Sequence, residues 1–118
     1  MYFQNFTNLS DKHQQMVLDW RNHLSIRKWM GKHDIITTDE HRIYLETLKA
    51  NNIKRNHLCF LNNKPIGVIT YYQLSNNSAD LGIYMKPELL QLGLGIKMAY
   101  LGIKYYCENS KQIDRFCF

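Results

Sequence analysis

The sequence predicts an α+β protein built around one mixed β-sheet, and two features of the chain indicate this class. Apolar and polar residues alternate over about 57–85, with short turn sequences between the runs, as in three antiparallel strands. Amphipathic helical patterns precede this block, and a glycine-containing turn, another helix and a last strand follow it. Helices and antiparallel strands that are segregated along the chain are typical of α+β folds.

The N-terminal part predicts a short strand over 2–9 and then a helix. Ser10 can accept a hydrogen bond from the first turn of that helix, and Asp11 suits the positive end of the helix dipole. The apolar stripe along the helix consists of Met16, Val17, Trp20, Leu24, Ile26, Trp29 and Met30. We expect these side chains to be buried as far as the helix breaker Gly31.

A second helix is predicted to begin at Thr37, which has the spacing of a capping box with Glu40. Ile43, Tyr44 and Leu48 give this helix a buried side. The three strands are HLCFL, PIGVITYYQL and ADLGIYM, and the turn sequences NNK and SNNS separate them. Turns of this length predict an antiparallel meander.

The C-terminal part predicts a helix over about 96–109 and a final strand in IDRFCF. The inward face of the helix consists of Met98, Ala99, Leu101, Ile103 and Tyr106. A strand, a turn, a helix and a strand form a right-handed crossover, so the last two strands should be parallel. The predicted order is one strand, two helices, three antiparallel strands, a helix and a parallel strand.

Composition limits the classes of partner. A chain of 118 residues with 45% hydrophobic and 21% charged residues is expected to fold as one domain. The net charge of +5 favours an anionic partner, but the basic residues are spread out, which disfavours a nucleic-acid arm. No window approaches the roughly 18 apolar residues of a membrane span. We expect a cytoplasmic protein that binds neither membrane nor nucleic acid.

Cysteines and histidines give no metal motif. Cys59, Cys107 and Cys117 form no CxxC pair and lie in apolar surroundings, so they are interpreted as reduced core residues. The histidines at 13, 23, 33 and 57 lack the spacing of zinc ligands and are expected to be exposed and polar. The sequence therefore predicts no metal site.

Two glycines in LLQLGLGIKM mark the turn before the last helix. Gly93 and Gly95 would let phosphate oxygens approach the unpaired N–H groups of a helix start, and the turn can require a positive φ. A Walker loop needs Gly-Lys-Ser/Thr, and a dinucleotide fingerprint needs a third glycine where Met98 stands. Spacing alone leaves both a phosphate cradle and an ordinary strand-to-helix turn open.

The order of elements and the segment 80–97 resemble the GNAT superfamily of acetyl-CoA-dependent N-acetyltransferases. The cofactor loop of that superfamily has the form Gln/Arg-x-x-Gly-x-Gly/Ala; Leu90 takes the first position here, and the glycine spacing is retained. Nearly the whole chain is similar to the acetyltransferases of pseudaminic acid biosynthesis. The matching stretches are FTNL, WRNH with IRKWM, DEH, IGVITYY and LGIYMKPELLQLGLG. The most specific of them is WRNH.

The resemblance implies a reaction and a donor site. The reaction is acetylation of the 4-amino group of a UDP-linked amino-dideoxy sugar, UDP-4-amino-4,6-dideoxy-N-acetyl-beta-L-altrosamine, on the route to pseudaminic acid for flagellin or surface glycans. The fourth and fifth strands should splay to admit the pantetheine arm of acetyl-CoA. The residues implied for acetyl-CoA are Ile83, Tyr84, Met85, Gln91, Leu92, Gly93, Leu94, Gly95 and Ile96.

The resemblance also implies an acceptor site. Arg21 and His41 are the candidates for the UDP phosphates or uracil, and Tyr72, Gln73 and Tyr84 are the candidates for the sugar pocket. Thr70 also lines that pocket and is the candidate catalytic residue. Structural roles without ligand contact stay open at this point, because Arg21 could pair with a carboxylate and His41 could be a solvated residue at a helix start.

The family pattern extends past the fifth strand, where the resemblance places further elements and a tyrosine that acts as general acid. We therefore expect 1–118 to be a single, C-terminally incomplete domain with weak acetyl-CoA binding and little or no turnover, and we assign no general acid or proton route. A homodimer is possible. The competing hypotheses are a GNAT enzyme for another amine, a catalytically silent acetyl-CoA-binding remnant, and a small basic RNA-binding domain.

Overall fold

The computed structural model of the chain describes residues 1–30, 34–50, 53–75, 78–90, 93–109 and 115–117. The strands are β1 (Tyr2–Asn5), β2 (Lys54–Leu61), β3 (Lys64–Ser75), β4 (Ser78–Met85) and β5 (Arg115–Cys117). The helices are α1 (Asp11–Asn22), α2 (Leu24–Arg27), α3 (Thr38–Ala50) and α4 (Leu94–Asn109). Short 3₁₀ turns occupy Phe6–Asn8 and Pro87–Leu89.

The described strands form one sheet in the order β1-β2-β3-β4-β5. The first four strands pair antiparallel in sequence order, and β5 pairs parallel with β4, which confirms the predicted meander and crossover. The β2–β3 hairpin turns through Asn62 and Asn63, whose φ angles are 52° and 65°. Asparagine tolerates this left-handed conformation, which matches the twist of a hairpin.

The two faces of the sheet carry separate cores. On the first face, Leu58, Phe60 and Val68 pack with Val17 and Trp20 of α1 and Leu48 of α3. On the second face, Cys59, Ile69, Tyr71, Leu81 and Met85 pack with Met98 and Tyr106 of α4. This alternation is the period-2 pattern of the strands. It also confirms that Cys59 is a core residue. Of the two neighbouring tyrosines on β3, Tyr71 is buried and Tyr72 is 39% exposed.

The capping predictions are confirmed. The Ser10 hydroxyl accepts from the His13 N–H at 3.2 Å and begins α1. The Thr37 and Glu40 side chains each accept from the other residue's backbone N–H, at 3.1 and 3.2 Å. These bonds satisfy N–H groups that the first turn of a helix leaves without partners.

The predicted continuous first helix is wrong, because α1 ends at Asn22. His23 adopts an extended conformation (φ −62°, ψ 136°), and its ring caps the short helix α2 by accepting from the Ser25 N–H. This break changes the phase of the apolar stripe. Val17, Trp20 and Ile26 are buried as expected, whereas Leu24 is 62% exposed and Trp29 is 80% exposed.

Three smaller expectations also need correction. The first strand ends at Asn5, because the Asn5 side chain caps the 3₁₀ turn that inserts Phe6 into the core. Ile43 is exposed, so the buried side of α3 depends on Leu48 and the half-buried Tyr44. His57 is buried rather than exposed, since the alternation of β2 directs it into the second-face core.

The crossover helix α4 starts two residues earlier than predicted, at Leu94. Of its expected inward face, Met98 and Tyr106 are buried, while Ala99, Leu101 and Ile103 are half-buried. In the part of the chain that the structure describes, no helix has the length and apolarity that crossing a bilayer requires.

Candidate active site

A cavity of about 670 Å³ lies on the first face of the sheet, between α1, α3 and the strands β2, β3 and β4. Its lining residues are Phe6, Val17, Leu18, Arg21, Trp29, Met30, Ile36, Glu40, His41, Tyr44, Lys54, Asn56, Thr70, Gly82, Ile83 and Tyr84. The wall is thus mostly apolar with a few polar and charged groups, which is typical of a small-molecule site.

The floor of the cavity is a row of residues in register across three strands. Asn56 pairs with Thr70, and Thr70 pairs with Gly82. A Cβ atom on Gly82 would meet no other atom within 4 Å, so this position leaves open space above the sheet. A ligand can therefore reach the backbone of β4 beside the Thr70 hydroxyl.

Polar side chains form a hydrogen-bonded series along this floor. The Tyr44 hydroxyl donates to Oδ1 of Asn56 at 2.7 Å, and Nδ2 of Asn56 donates to Oγ1 of Thr70 at 3.2 Å. Asn56 is 7% exposed, so these bonds satisfy a polar group that burial would otherwise penalise. Burial raises the pKa of Tyr44, which therefore stays protonated and remains a donor.

Sequence reasoning missed Asn56 and gave Tyr44 only a packing role. Asn56 stands directly before the apolar run HLCFL, where it reads as a strand-edge residue. A polar residue at an inward position of a strand was the available signal, but the face that Asn56 occupies depends on the register of β2.

His41 is oriented by Gln14 of α1. The Gln14 amide donates to the Phe6 carbonyl, so its Oε1 faces His41 and lies 2.9 Å from Nε2. This arrangement places the ring hydrogen on Nε2 and leaves Nδ1 as the acceptor of the neutral ring. Burial lowers the pKa of His41, which keeps the imidazole neutral at pH 7.

Arg21 and Tyr84 both line the cavity and interact electrostatically. Burial raises the pKa of Tyr84, and the nearby Arg21 charge opposes part of that rise. The phenol is therefore protonated at neutral pH and can donate a hydrogen bond. Tyr84 also packs against the first-face core, which fixes its ring.

The cavity brings together five of the sequence-predicted site residues, namely Arg21, His41, Thr70, Ile83 and Tyr84. Tyr72 does not line it; this residue is 39% exposed at the end of the same face, with the Lys54 ammonium 5.9 Å from its ring. Gln73 is not brought to the cavity either. It follows Tyr72 on the alternating strand, and its amide donates to the Ser75 carbonyl.

The glycine turn has the backbone conformation that its sequence suggested. Gly93 has a φ of +76°, and a Cβ atom there would meet nothing within 4 Å. The 16-residue helix α4 begins at the next residue, Leu94, so its first N–H groups have no acceptor within the helix. An anion can bind at such an end. The predicted contacts Gln91 and Leu92 lie outside the described residues.

The start of α4 adjoins the end of β4. A Cβ atom on Gly95 would lie 3.7 Å from Cδ1 of Ile83 and 3.8 Å from Sδ of Met85. Ile83 thereby links the glycine turn to the cavity, while Met85 is buried in the second-face core. Ile96 is 81% exposed on the first turn of the helix.

Within the described residues, β5 pairs with the beginning of β4. The register pairs Ser78, Ala79 and Asp80 with Arg115, Phe116 and Cys117, respectively. Within the described residues, the segment 83–85 of β4 thus lies beyond the last of these pairs. This is the part of β4 where the sequence resemblance places the thiol arm of the acyl donor.

The chain is similar to known acetyltransferases. No family model matches the chain. The curated acetyltransferase PseH of Campylobacter jejuni subsp. jejuni serotype O:23/36 (strain 81-176) is 34% identical over 108 residues, which cover 92% of this chain and 67% of that protein.

Solved structures give the same fold. The Campylobacter jejuni N-acetyltransferase PseH in complex with acetyl coenzyme A is 28% identical with a TM-score of 0.72, over 93% of this chain and 70% of that one. An acetyltransferase of the GNAT family from Streptococcus pneumoniae, 19% identical, has a TM-score of 0.66 over 98% of this chain and 71% of that one. The predicted GNAT-like α+β fold is confirmed.

Proposed function

Because the chain belongs to the PseH family of acetyltransferases, we propose that it transfers the acetyl group of acetyl-CoA to the 4-amino group of a UDP-linked amino-dideoxy sugar. The observation that carries this proposal is the cavity in which Arg21, His41, Thr70 and Tyr84 converge next to the end of β4. The sugar is the one that the sequence resemblance implied, a precursor of pseudaminic acid.

The reaction needs two ligands held in contact. The amine lone pair attacks the thioester carbonyl carbon, a C–N bond forms and the C–S bond breaks. The amine loses a proton, and the departing thiolate gains one. Holding both reactants in this geometry replaces a bimolecular encounter with an oriented one, which supplies much of the rate.

The acyl donor fits the start of α4. The diphosphate of acetyl-CoA would accept hydrogen bonds from the N–H groups of Gly93 to Ile96, and the dipole of this 16-residue helix favours the negative charge. The pantetheine arm would then run along 83–85, the part of β4 that adjoins the start of α4. Ile83 belongs both to this path and to the cavity wall, so the thioester would reach the cavity.

The acceptor fits the cavity. The permanent charge of Arg21 suits the UDP diphosphate, and Nδ1 of the neutral His41 suits a uracil or ribose donor. Lys54 adds a second cation to the wall. Thr70 and Tyr84 then face the sugar, with the open space above Gly82 between β3 and β4 available to its ring.

An acetylation assay on this chain tests the proposal. Acetyl-CoA and the UDP-linked 4-amino sugar are incubated with the protein, free thiol is measured, and mass spectrometry locates the acetyl group on the 4-amino nitrogen. UDP-N-acetylglucosamine, which has no free amine, is the matched control and should release no thiol above background. Equal thiol release with spermidine or an aminoglycoside in place of the sugar would instead support an acetyltransferase for another amine.

Thermal denaturation separates binding from turnover. A ligand specific for the folded state stabilises it by RT ln(1 + [L]/Kd), or about 2.7 kcal/mol at a hundredfold excess over Kd. Acetyl-CoA should raise the melting temperature, and the UDP-linked sugar should raise it further. No response to acetyl-CoA would contradict the donor site, and a response without turnover would indicate a silent acetyl-CoA-binding protein.

A further inference from the structure

The cavity network, which we define as Tyr44, Asn56 and Thr70, has a fixed direction. Tyr44 has one hydroxyl hydrogen, and it is given to Oδ1 of Asn56 at 2.7 Å. The Asn56 amide therefore turns its Nδ2 toward Thr70 and donates at 3.2 Å. Thr70 accepts that bond, which leaves its own hydroxyl hydrogen available for another acceptor.

We propose that Asn56 and Tyr44 are positioning residues that hold the Thr70 hydroxyl as a hydrogen-bond donor to an oxygen of the acceptor sugar. This inference rests on the proposed function. Asn56 and Tyr44 act through Thr70, whereas Thr70 itself contacts the substrate. If the amide had the opposite orientation, its Oδ1 would take the Thr70 hydrogen, and nothing would be left to donate to the ligand.

The position of the network supports this role. Asn56 and Thr70 are direct partners on β2 and β3, and Thr70 faces the open space at Gly82 on β4. A buried amide costs free energy unless it is paired, so an apolar residue would be the simpler occupant of a site that is 7% exposed. Each end of the amide makes one hydrogen bond, so the amide cannot turn over without losing both.

The Thr70 hydroxyl would orient the sugar so that its amine can attack the thioester. A hydrogen bond to one ring substituent restricts rotation of the sugar in the cavity and holds the amine near the thioester. Loss of this hydrogen bond should lower kcat/KM for the sugar. The KM for acetyl-CoA should stay unchanged, because the proposed acetyl-CoA site lies at the start of α4.

The direction of the network can be measured on the unliganded protein. In NMR spectra of the ¹⁵N- and ¹³C-labelled chain, Thr70→Val removes the acceptor of Asn56 Nδ2 and should shift an Nδ2 proton upfield. Tyr44→Phe should mainly shift the side-chain carbonyl carbon of Asn56. The inference is overturned if Thr70→Val leaves the Nδ2 protons in place and Tyr44→Phe moves them, since that pattern belongs to the opposite amide orientation.

Kinetics test the role of the network. Asn56→Asp replaces the amide with a carboxylate that only accepts, so it should capture the Thr70 hydrogen and lower kcat/KM for the sugar about 10- to 100-fold. Thr70→Val should cause a similar loss, and Thr70→Ser should retain most activity because it keeps the hydroxyl. The Asn56→Asp/Thr70→Val double variant should have the same kcat/KM for the sugar as Thr70→Val alone, because both changes remove the same donor, the Thr70 hydroxyl.

Matched controls change the same residue types elsewhere. Thr47→Val alters a hydroxyl on the exposed surface of α3, and Asn8→Asp alters an exposed residue of the first 3₁₀ turn. Both should leave the kinetics unchanged. If Asn56→Asp fails to fold, the isosteric pair Thr70→Val and Tyr44→Phe still tests the inference.

The two proposals fail in different ways. If the unmodified chain acetylates the sugar but Thr70→Val and Asn56→Asp are as active as the original, the inference is wrong and the proposed function stands. Fully additive losses in the double variant would also refute it. If the unmodified chain acetylates nothing, the proposed function is wrong, and the NMR spectra alone decide the direction of the network.

Discussion

The Tyr106 hydroxyl lies 2.6 Å from Nδ1 of His57, inside the core on the face of the sheet opposite the cavity. Burial, together with the nearby Arg55 charge, lowers the pKa of His57 to about 4. Burial also raises the pKa of Tyr106, so the phenol remains a donor and the neutral imidazole accepts from it. The pair fixes α4 against β2 with both polar groups satisfied.

This pair predicts a loss of stability in mild acid. The pKa of His57 is 6.5 in the unfolded chain and about 4 in the folded one, so the unfolded state takes up the proton first as the pH falls. The contribution of neutral His57 is therefore complete above pH 6.5 and declines as the pH approaches 4, by about 3 kcal/mol in total. Urea denaturation midpoints across this window measure the decline.

Two variants identify the group responsible. His57→Phe should remove the contribution of His57 to the fall in unfolding free energy between pH 6.5 and 4, so the decline should be shallower than in the original protein. Tyr106→Phe leaves His57 in the same core without the hydroxyl beside it, so this variant should still lose stability between pH 6.5 and 4. An identical slope in the original protein and in His57→Phe would show that His57 does not titrate as described.

Gly93→Ala should destabilise the protein through the backbone. The φ of +76° is disfavoured for a residue with a Cβ atom, although that atom would meet no neighbour within 4 Å. We expect a cost of about 1 kcal/mol in urea denaturation and a smaller thermal shift with acetyl-CoA. Gly95→Ala is the matched control for the urea measurement, because its Cβ would make only ordinary contacts with Ile83 and Met85 and helices favour alanine. Equal losses at both positions would contradict the conformational explanation.

Gly67→Ala should destabilise the protein through close packing. A Cβ atom on Gly67 would lie 2.8 Å from the Tyr84 carbonyl oxygen and 3.1 Å from Sδ of Met98. The backbone of β4 would have to move, at a cost of about 1–3 kcal/mol. Gly82→Ala, on the next strand, has open space at its Cβ and should keep the unfolding free energy within about 0.5 kcal/mol. A stable Gly67→Ala protein would show that the two strands are less closely packed than described.

Arg21→Ala should weaken binding of the UDP-linked sugar selectively. Loss of a charged hydrogen-bond donor facing a diphosphate should raise the KM for the sugar about 10- to 100-fold, with little change in the KM for acetyl-CoA. Arg42→Ala removes an exposed arginine that pairs with Asp39 on α3, so it controls for net charge. A parallel rise in both KM values, or equal effects of the two variants, would argue against a diphosphate contact at Arg21.

Local features of the fold followed from local sequence. The Ser10 cap, the Thr37–Glu40 capping box and the β2–β3 turn depend on residues within three positions of one another, and the structure contains all of them. The break at His23 did not follow, because an apolar stripe continues through it and only the packing of α1 decides where that stripe leaves the core. Leu24 and Trp29 are exposed for this reason.

The candidate site was predictable only in part. Motif resemblance named Arg21, His41, Thr70 and Tyr84, which lie 63 positions apart from first to last (21 to 84) and yet line one cavity. Asn56 carries no motif, so it became visible only through its two hydrogen bonds. The placement of Gln73 away from the cavity likewise depends on strand register, since a shift of one residue exchanges the two faces.

By itself the sequence determined the class of fold, the order of its strands and the caps and turns, because each is set by a short range of residues and by hydrophobic periodicity. Tertiary structure alone decided that the histidine at 57 is buried with Tyr106 and that Asn56 joins Tyr44 to Thr70. Those contacts join residues distant in the chain, and pairing of strands rather than local preference brings them within hydrogen-bonding distance.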